Sequence, residues 1–213
     1  EDGFAMKPSL AFVSSMAYRI FFTRQPTLRI FRIDQTKCQA AKTAVKGTGK
    51  WVSTNDIITS SFLKLCNADV GMMAVNFRGK VPELLDSDAG NYKSFIELLP
   101  EEFGSPGLVR NLLQSGFRRA SRSPPPPPLP KGLALFRSKI SLLTNWATFM
   151  EHELELRGCT QLAHLPCQRG KEMDGGCIFR PRRGELALAV SSTAFNPTKD
   201  PNSPFGEELS TLY

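Results

Sequence analysis

The feature that most restricts how this chain can fold is Ser121–Pro130, SRSPPPPPLP, with its five consecutive prolines. Proline fixes φ at about −65° and lacks a backbone N–H, so such a run cannot enter a helix interior or a central strand. It is expected to adopt polyproline II, a left-handed helix with about three residues per turn. The chain is therefore read as two stretches of regular structure joined by a stiff piece. That piece is either a surface loop or a ligand for an SH3, WW or profilin-like module.

Before the prolines, Ser9–Phe22 has helical character and Gln25-Pro26 ends it. Thr27–Ile33, TLRIFRI, reads as a strand with arginines among apolar residues. Asp34 is a plausible N-cap for a helix over Gln35–Val45, which Gly47–Gly49 ends. Ser53, Thr54 or Asn55 can cap a second helix running to about Cys66. Val70–Phe77, VGMMAVNF, suits a buried strand, with Arg78-Gly79-Lys80 and Pro82 as a polar exit. Gly90-Asn91 marks a turn, Tyr92–Leu99 a short element, and Leu108–Arg119 a helix.

After the prolines, Gly132–Leu143 reads as strand, closed by Thr144-Asn145-Trp146. Leu154–Leu156 and Gln161–Leu165 are short. Cys177–Arg180 and Glu185–Val190 flank Pro181–Gly184 as a hairpin. From Phe195 the sequence reads as extended coil. The order of elements predicts an α/β fold, a mixed β-sheet with flanking helices. It divides into an N-terminal helical segment over 1–26, a domain over 27–192 with a proline-rich insertion at 121–131, and a tail over 193–213.

Composition narrows the function classes. The chain has 213 residues, 41% of them apolar and 22% charged, which argues against wholesale disorder. The net charge of +7 suits an anionic partner or simply a basic soluble surface. Arg29, Phe31, Arg32 and Phe77-Arg78 interleave rings and cations, but no RNP, KH or helix-turn-helix pattern accompanies them, so no nucleic-acid partner is expected. The five cysteines form no CxxC pair, so no metal site is expected. Their odd number points to reduced thiols in an intracellular compartment, cytoplasm or organelle interior. Ser9–Thr23 is too short to span a bilayer and carries Arg19. It is expected to be buried, with peripheral membrane contact through 9–23 as the alternative. Residue 1 is Glu, which suggests a processed product or a fragment.

Catalytic constellations are sparse. The two histidines, His152 and His164, lie in neither an HxxxD nor an HExxH pattern. Gly47-Thr48-Gly49-Lys50 lacks the spacing of a phosphate-binding loop. Glu151, Glu153 and Glu155 are more simply a charged helix face than a carboxylate pair.

The stretch Trp51–Tyr92 carries the most informative pattern. WVSTNDIITSSFLKL resembles the "vSTnD" helix start of the CoA-dependent acyltransferase superfamily that includes chloramphenicol acetyltransferase, BAHD acyltransferases and peptide-synthetase condensation domains. MMAVNFRGKVPELLDSDAGNY is similar to its strand "vnvRgRl.P" followed by "GN". Ser141–Phe149, SLLTNWATF, resembles the "TSW" segment, and CIFRP–RRG–ELALAV the closing hairpin. Together the four cover Leu28–Ser192, in the family's order, and match its C-terminal lobe.

The resemblance implies one of two similar α/β lobes, with acyl-CoA and acceptor entering a tunnel between them. By motif, Thr144 and Trp146 would donate hydrogen bonds near the reacting thioester, Ser53 and Thr54 would line the tunnel toward the pantetheine arm, and Arg78 would be structural. The family's base is the histidine of HxxxD in the other lobe, which this sequence lacks. "DFGWG" is not recognisable after Trp146 either. The chain is thus expected to be inactive alone. It would be half of an acyltransferase completed by another lobe or chain, or a degenerate lobe kept as an accessory or structural subunit of a larger assembly, soluble or membrane-associated.

Overall fold

The computed structural model describes residues 10–23, 26–46, 51–79, 84–85, 87, 93–115, 122, 125–150, 157–159, 161–166 and 173–209. The expectations at Gly47–Lys50, Gly90-Asn91, His152, the three glutamates and Leu154–Leu156 lie outside these residues. The elements run α1 (Leu10–Phe22), β1 (Leu28–Ile33), α2 (Gln35–Lys46), α3 (Thr54–Leu65), β2 (Val70–Asn76), β3 (Lys93–Leu98), α4 (Pro100–Phe103), α5 (Pro106–Gln114), α6 (Gly132–Arg137), β4 (Ile140–Asn145), β5 (Asp174–Phe179), β6 (Ala187–Ser191) and β7 (Phe205–Glu208).

The strands form one mixed sheet in the order β3-β2-β4-β5-β6-β1-β7. Pairs β2/β4 and β4/β5 are parallel, and the others are antiparallel. Side chains alternate across a strand, and the burial follows. Phe31, Ile33, Met73, Leu143, Ile178, Leu188 and Val190 join the large core with α3 on one face. Ile30, Val70, Met72, Ile140, Cys177, Phe179, Ala187 and Ala189 fall in two smaller clusters on the other.

Helix α3 lies deepest. Ser53 caps it, and nine of its residues are buried, from Asp56 through Leu63 and at Leu65. A helix buried around its whole circumference needs cover on every side. The sheet supplies one side and α2, α4 and α5 the rest. Two glycines let it sit close: a Cβ at Gly71 would lie 2.5 Å from Leu63 Cδ1, and one at Gly176 2.9 Å from Phe62 Cε2.

Two expectations fail for non-local reasons. Gly132–Leu143 is not strand throughout. Gly132–Arg137 forms α6, with Leu135 turned into the cluster of Val70, Met72 and Ile140, and the Ser138 hydroxyl donates to the Ala134 carbonyl at 2.8 Å. Helical spacing there buries one leucine beneath α1, and strand order begins only at Ile140. The region after Phe195 is not plain coil. Phe205–Glu208 is the edge strand β7, paired with β1. Phe195 is buried, its ring 5.3 Å from Phe31, 5.9 Å from Phe62 and 5.2 Å from Phe205. Phe31 and Phe62 stand more than 130 positions before Phe195, and β1 equally far before β7, so these pairings leave no local pattern to read.

Candidate functional site

In open α/β sheets ligands approach the carboxyl ends of parallel strands. Here that edge holds the end of β4 beside the first turn of α3. The Asn145 amide Nδ2 donates to Asn55 Oδ1 at 2.9 Å. Asn145 Oδ1 accepts the Ala147 N–H at 2.9 Å, which fixes the chain as it leaves β4. The Asn55 amide also points at the Met73 sulfur, 3.7 Å away, and the Thr59 hydroxyl approaches the same sulfur at 3.8 Å. One carboxamide pair therefore ties STND to TNW, the two segments that sequence reasoning singled out separately.

Ser53 does the work of a cap. Its Oγ accepts the Asp56 N–H at 3.2 Å, and Asp56 Oδ2 accepts the Ser53 N–H at 2.7 Å, a reciprocal capping box. Asp56 is fully buried and also accepts from Arg110 Nε at 2.8 Å. The Arg110 guanidinium lies 3.9 Å from the Trp51 ring centroid, so a cation sandwiched between carboxylate and indole clamps α5 to the start of α3. Thr54 follows, half-buried, and its hydroxyl donates to no described residue.

Thr144 and Trp146 occupy the opposite face of the sheet from α3. Thr144 pairs with Cys177, and Trp146 packs with Ile30, Cys177 and Phe179, its backbone N–H donating to the Ile178 carbonyl at 2.8 Å. Among the described residues, neither the Thr144 hydroxyl nor the Trp146 indole N–H donates a hydrogen bond, and both side chains are half-buried. Two positions apart, at the end of β4 and just past it, they are a pair of donors unengaged among the described residues. The sheet separates them from Ser53 and Thr54, and the two pairs approach only at the edge where Asn55 meets Asn145.

Arg78 sits half-buried in the turn after β2, its N–H donating to Asn76 Oδ1 at 3.2 Å, with Gly79 at φ 64° completing the turn. His164 is placed near the same edge, its N–H donating to the Pro181 carbonyl at 2.9 Å. Cys177 beside Thr144 is no nucleophile: burial pushes its thiol up to about 12, so it stays protonated at neutral pH. Among the described residues no group of three His, Cys, Asp or Glu could hold a metal ion, and no helix is long and apolar enough to cross a membrane.

No protein-family profile matches the chain, and no curated protein matches it. Solved structures do. Vinorine synthase superposes with a TM-score of 0.53 at 15% identity, covering 80% of this chain and 45% of that one. The fold is thus similar to one lobe of the chloramphenicol-acetyltransferase-like fold. F. sporotrichioides TRI101, solved with coenzyme A and T-2, matches at a TM-score of 0.42 and 16% identity over 80% of this chain and 47% of its own. The first condensation domain of the CDA synthetase matches at 0.38 and 14%, over 89% and 45%. The chain spans less than half the length of each of these structures.

Sequence reasoning named Asn55 only as a cap and Asn145 only as the middle of TNW. The amide-to-amide bond between them is the tie it missed. It also passed over Arg110 and Trp51, because a cation–ring contact across some sixty positions carries no local signature.

Proposed function

We propose that this chain is the C-terminal lobe of a CoA-dependent acyltransferase, contributing to acyl transfer from a thioester to a hydroxyl or amine. The observation that carries the reading is the pair of donors unengaged among the described residues, Thr144 and Trp146, held at the carboxyl end of β4. Attack on a thioester carbonyl builds negative charge on its oxygen, and fixed donors in a dry setting stabilise that charge. Ser53 and Thr54, at the N-terminus of α3, are assigned to the pantetheine arm of acyl-CoA. Arg78 keeps a structural role. The base that deprotonates the acceptor comes from a second lobe or another chain carrying HxxxD.

The lobe alone is then a weak binder and no catalyst. Acetyl-CoA should bind the isolated chain with a dissociation constant no tighter than about 1 mM, a gain of roughly 4 kcal/mol. Thiol release with hydroxyl or amine acceptors should stay at the uncatalysed rate. Turnover above that rate, abolished by His164→Gln, would contradict the need for a second lobe. A complete lack of binding by calorimetry at tens of millimolar would contradict the acyltransferase reading itself.

A second reading, a non-catalytic accessory lobe in a larger assembly, has one observation in its favour. The outer side of α1 is apolar, with Leu10, Phe21 and Phe22 each about three-quarters exposed or more. Such a face suits a covering protein or peripheral contact with a lipid surface. Self-association abolished by Phe21→Ser with Phe22→Ser would favour a protein cover, and vesicle flotation a lipid one.

A further inference from the structure

We infer that α1 and α6 together form a docking face for an anionic lipid surface. The inference rests on the second reading above for the openness of α1, and deepens it by naming the cover. Phe12 of α1 and Leu135 of α6 pack on one cluster, around Val70, Met72 and Ile140. Successive residues of an α-helix are about 100° apart, so a position two residues from an inward one points nearly opposite, as does a position nine away. Leu10 and Phe21 are thus outward on α1, and Leu133 and Arg137 outward on α6. All four are exposed. Val13, Tyr18 and Phe22 flank them, each at least half exposed. The two helices are tied into one surface. The Tyr18 ring lies 5.9 Å from Phe136, and Arg19 Nη2 donates to the Ser138 carbonyl at 3.1 Å. Ser15 is buried and Arg19 half-buried, so α1 turns its polar residues to the body and its large apolar ones away from it.

Charge selects the occupant. Neither 9–23 nor 121–150 contains an Asp or Glu. Lys131 and Arg137 are exposed and, among the described residues, pair with no carboxylate. Asp69 and Asp174 are taken up at Lys139: Asp69 Oδ2 accepts its backbone N–H at 2.7 Å, and Asp174 Oδ2 lies 4.0 Å from its ammonium. An apolar face rimmed by free cations suits a helix lying in a membrane interface, its rings among the acyl chains and its cations at headgroup phosphates. Each Lys or Arg close to an anionic membrane strengthens binding roughly fivefold. A second copy of this chain would instead bring Lys131 and Arg137 against like charges. With 13 residues, α1 lies along such a surface and does not cross it. The cluster beneath the two helices holds Val70 and Ile140, the amino ends of β2 and β4. The candidate acyl-transfer edge lies at their carboxyl ends, so a membrane on this face leaves it clear.

The experiment sediments the full 213-residue chain with vesicles of phosphatidylcholine alone and of phosphatidylcholine mixed with phosphatidylserine. Binding to the mixed vesicles should be roughly tenfold tighter or more. Lys131→Gln with Arg137→Gln should remove most of that difference. Arg183→Gln with Lys199→Gln, which takes the same charge from exposed positions outside the two helices, should weaken binding less than about threefold. Phe21→Ser with Phe22→Ser should weaken it about tenfold or more on either vesicle. Equal binding to the two compositions, or equal loss from the two charge pairs, overturns the anionic partner and leaves the accessory reading standing. So does absence of vesicle binding together with self-association that Phe21→Ser with Phe22→Ser abolishes, which assigns the face to a second copy. Thermal unfolding of each variant separates the remaining case. A sharply lowered midpoint in the double phenylalanine variant would place the α1 face in the core and overturn both the proposal and the reading it rests on.

Discussion

The two faces of the sheet are built differently. On one, α3 is buried around its circumference, its cap is closed by Ser53 and Asp56, and its outer side is covered by three helices. On the other, among the described residues, α1 and α6 lie over the end around Val70, Met72 and Ile140, Trp146 and Leu165 pack on the cluster of Ile30, Cys177 and Phe179, and α1 turns Leu10, Phe21 and Phe22 to the outside. The first face stabilises the lobe. The second carries the open features: the donors at Thr144 and Trp146, the apolar side of α1 and the proline stretch.

That contrast can be broken by mutation. The largest effect is expected at Phe62, fully buried where α3 meets Gly176 and Phe195. Phe62→Ala should cost roughly 3–5 kcal/mol, read as a lowered midpoint in urea unfolding. Next comes Arg110→Ala. It strips the partner from a fully buried Asp56 whose Oδ1 already lacks a hydrogen bond, and should cost about 3 kcal/mol or more. If Arg110→Ala proves neutral, the clamp on α3 is ornamental and the two faces are less different than they look. The smallest effect belongs to the other face. Phe21→Ser should change the stability of the isolated chain by less than about 0.5 kcal/mol. A loss several times larger would mean that α1 is part of the core.

The same contrast explains what the sequence revealed. The Asp34 cap on α2, the Ser53 cap on α3, the buried strand β2 and the hairpin of β5 and β6 are local, written in neighbouring residues. The mixed sheet followed from their order. β7 and Phe195 were missed because their stability comes from Phe31 and Phe62, far back in the chain. α6 was missed because GLALFR suits a strand as well as a helix, and packing beneath α1 decided between them. At the candidate site the motifs named the residues but not their arrangement. Alternation along β4 sends Leu143 and Asn145 toward α3 and Thr144 with Trp146 away from it. Which face a motif residue occupies depends on strand register, and register is fixed only by the assembled sheet.

The most direct test of the central claim uses the indole N–H signals of the two tryptophans, Trp51 and Trp146. Assigned with Trp146→Phe, they can be followed by NMR while millimolar acetyl-CoA or free CoA is added. The account predicts that the Trp146 indole N–H shifts progressively with acetyl-CoA, less with free CoA, and that Thr144→Val reduces the response. A Trp146 signal that stays in place at tens of millimolar acetyl-CoA would contradict the assignment of this edge to the thioester.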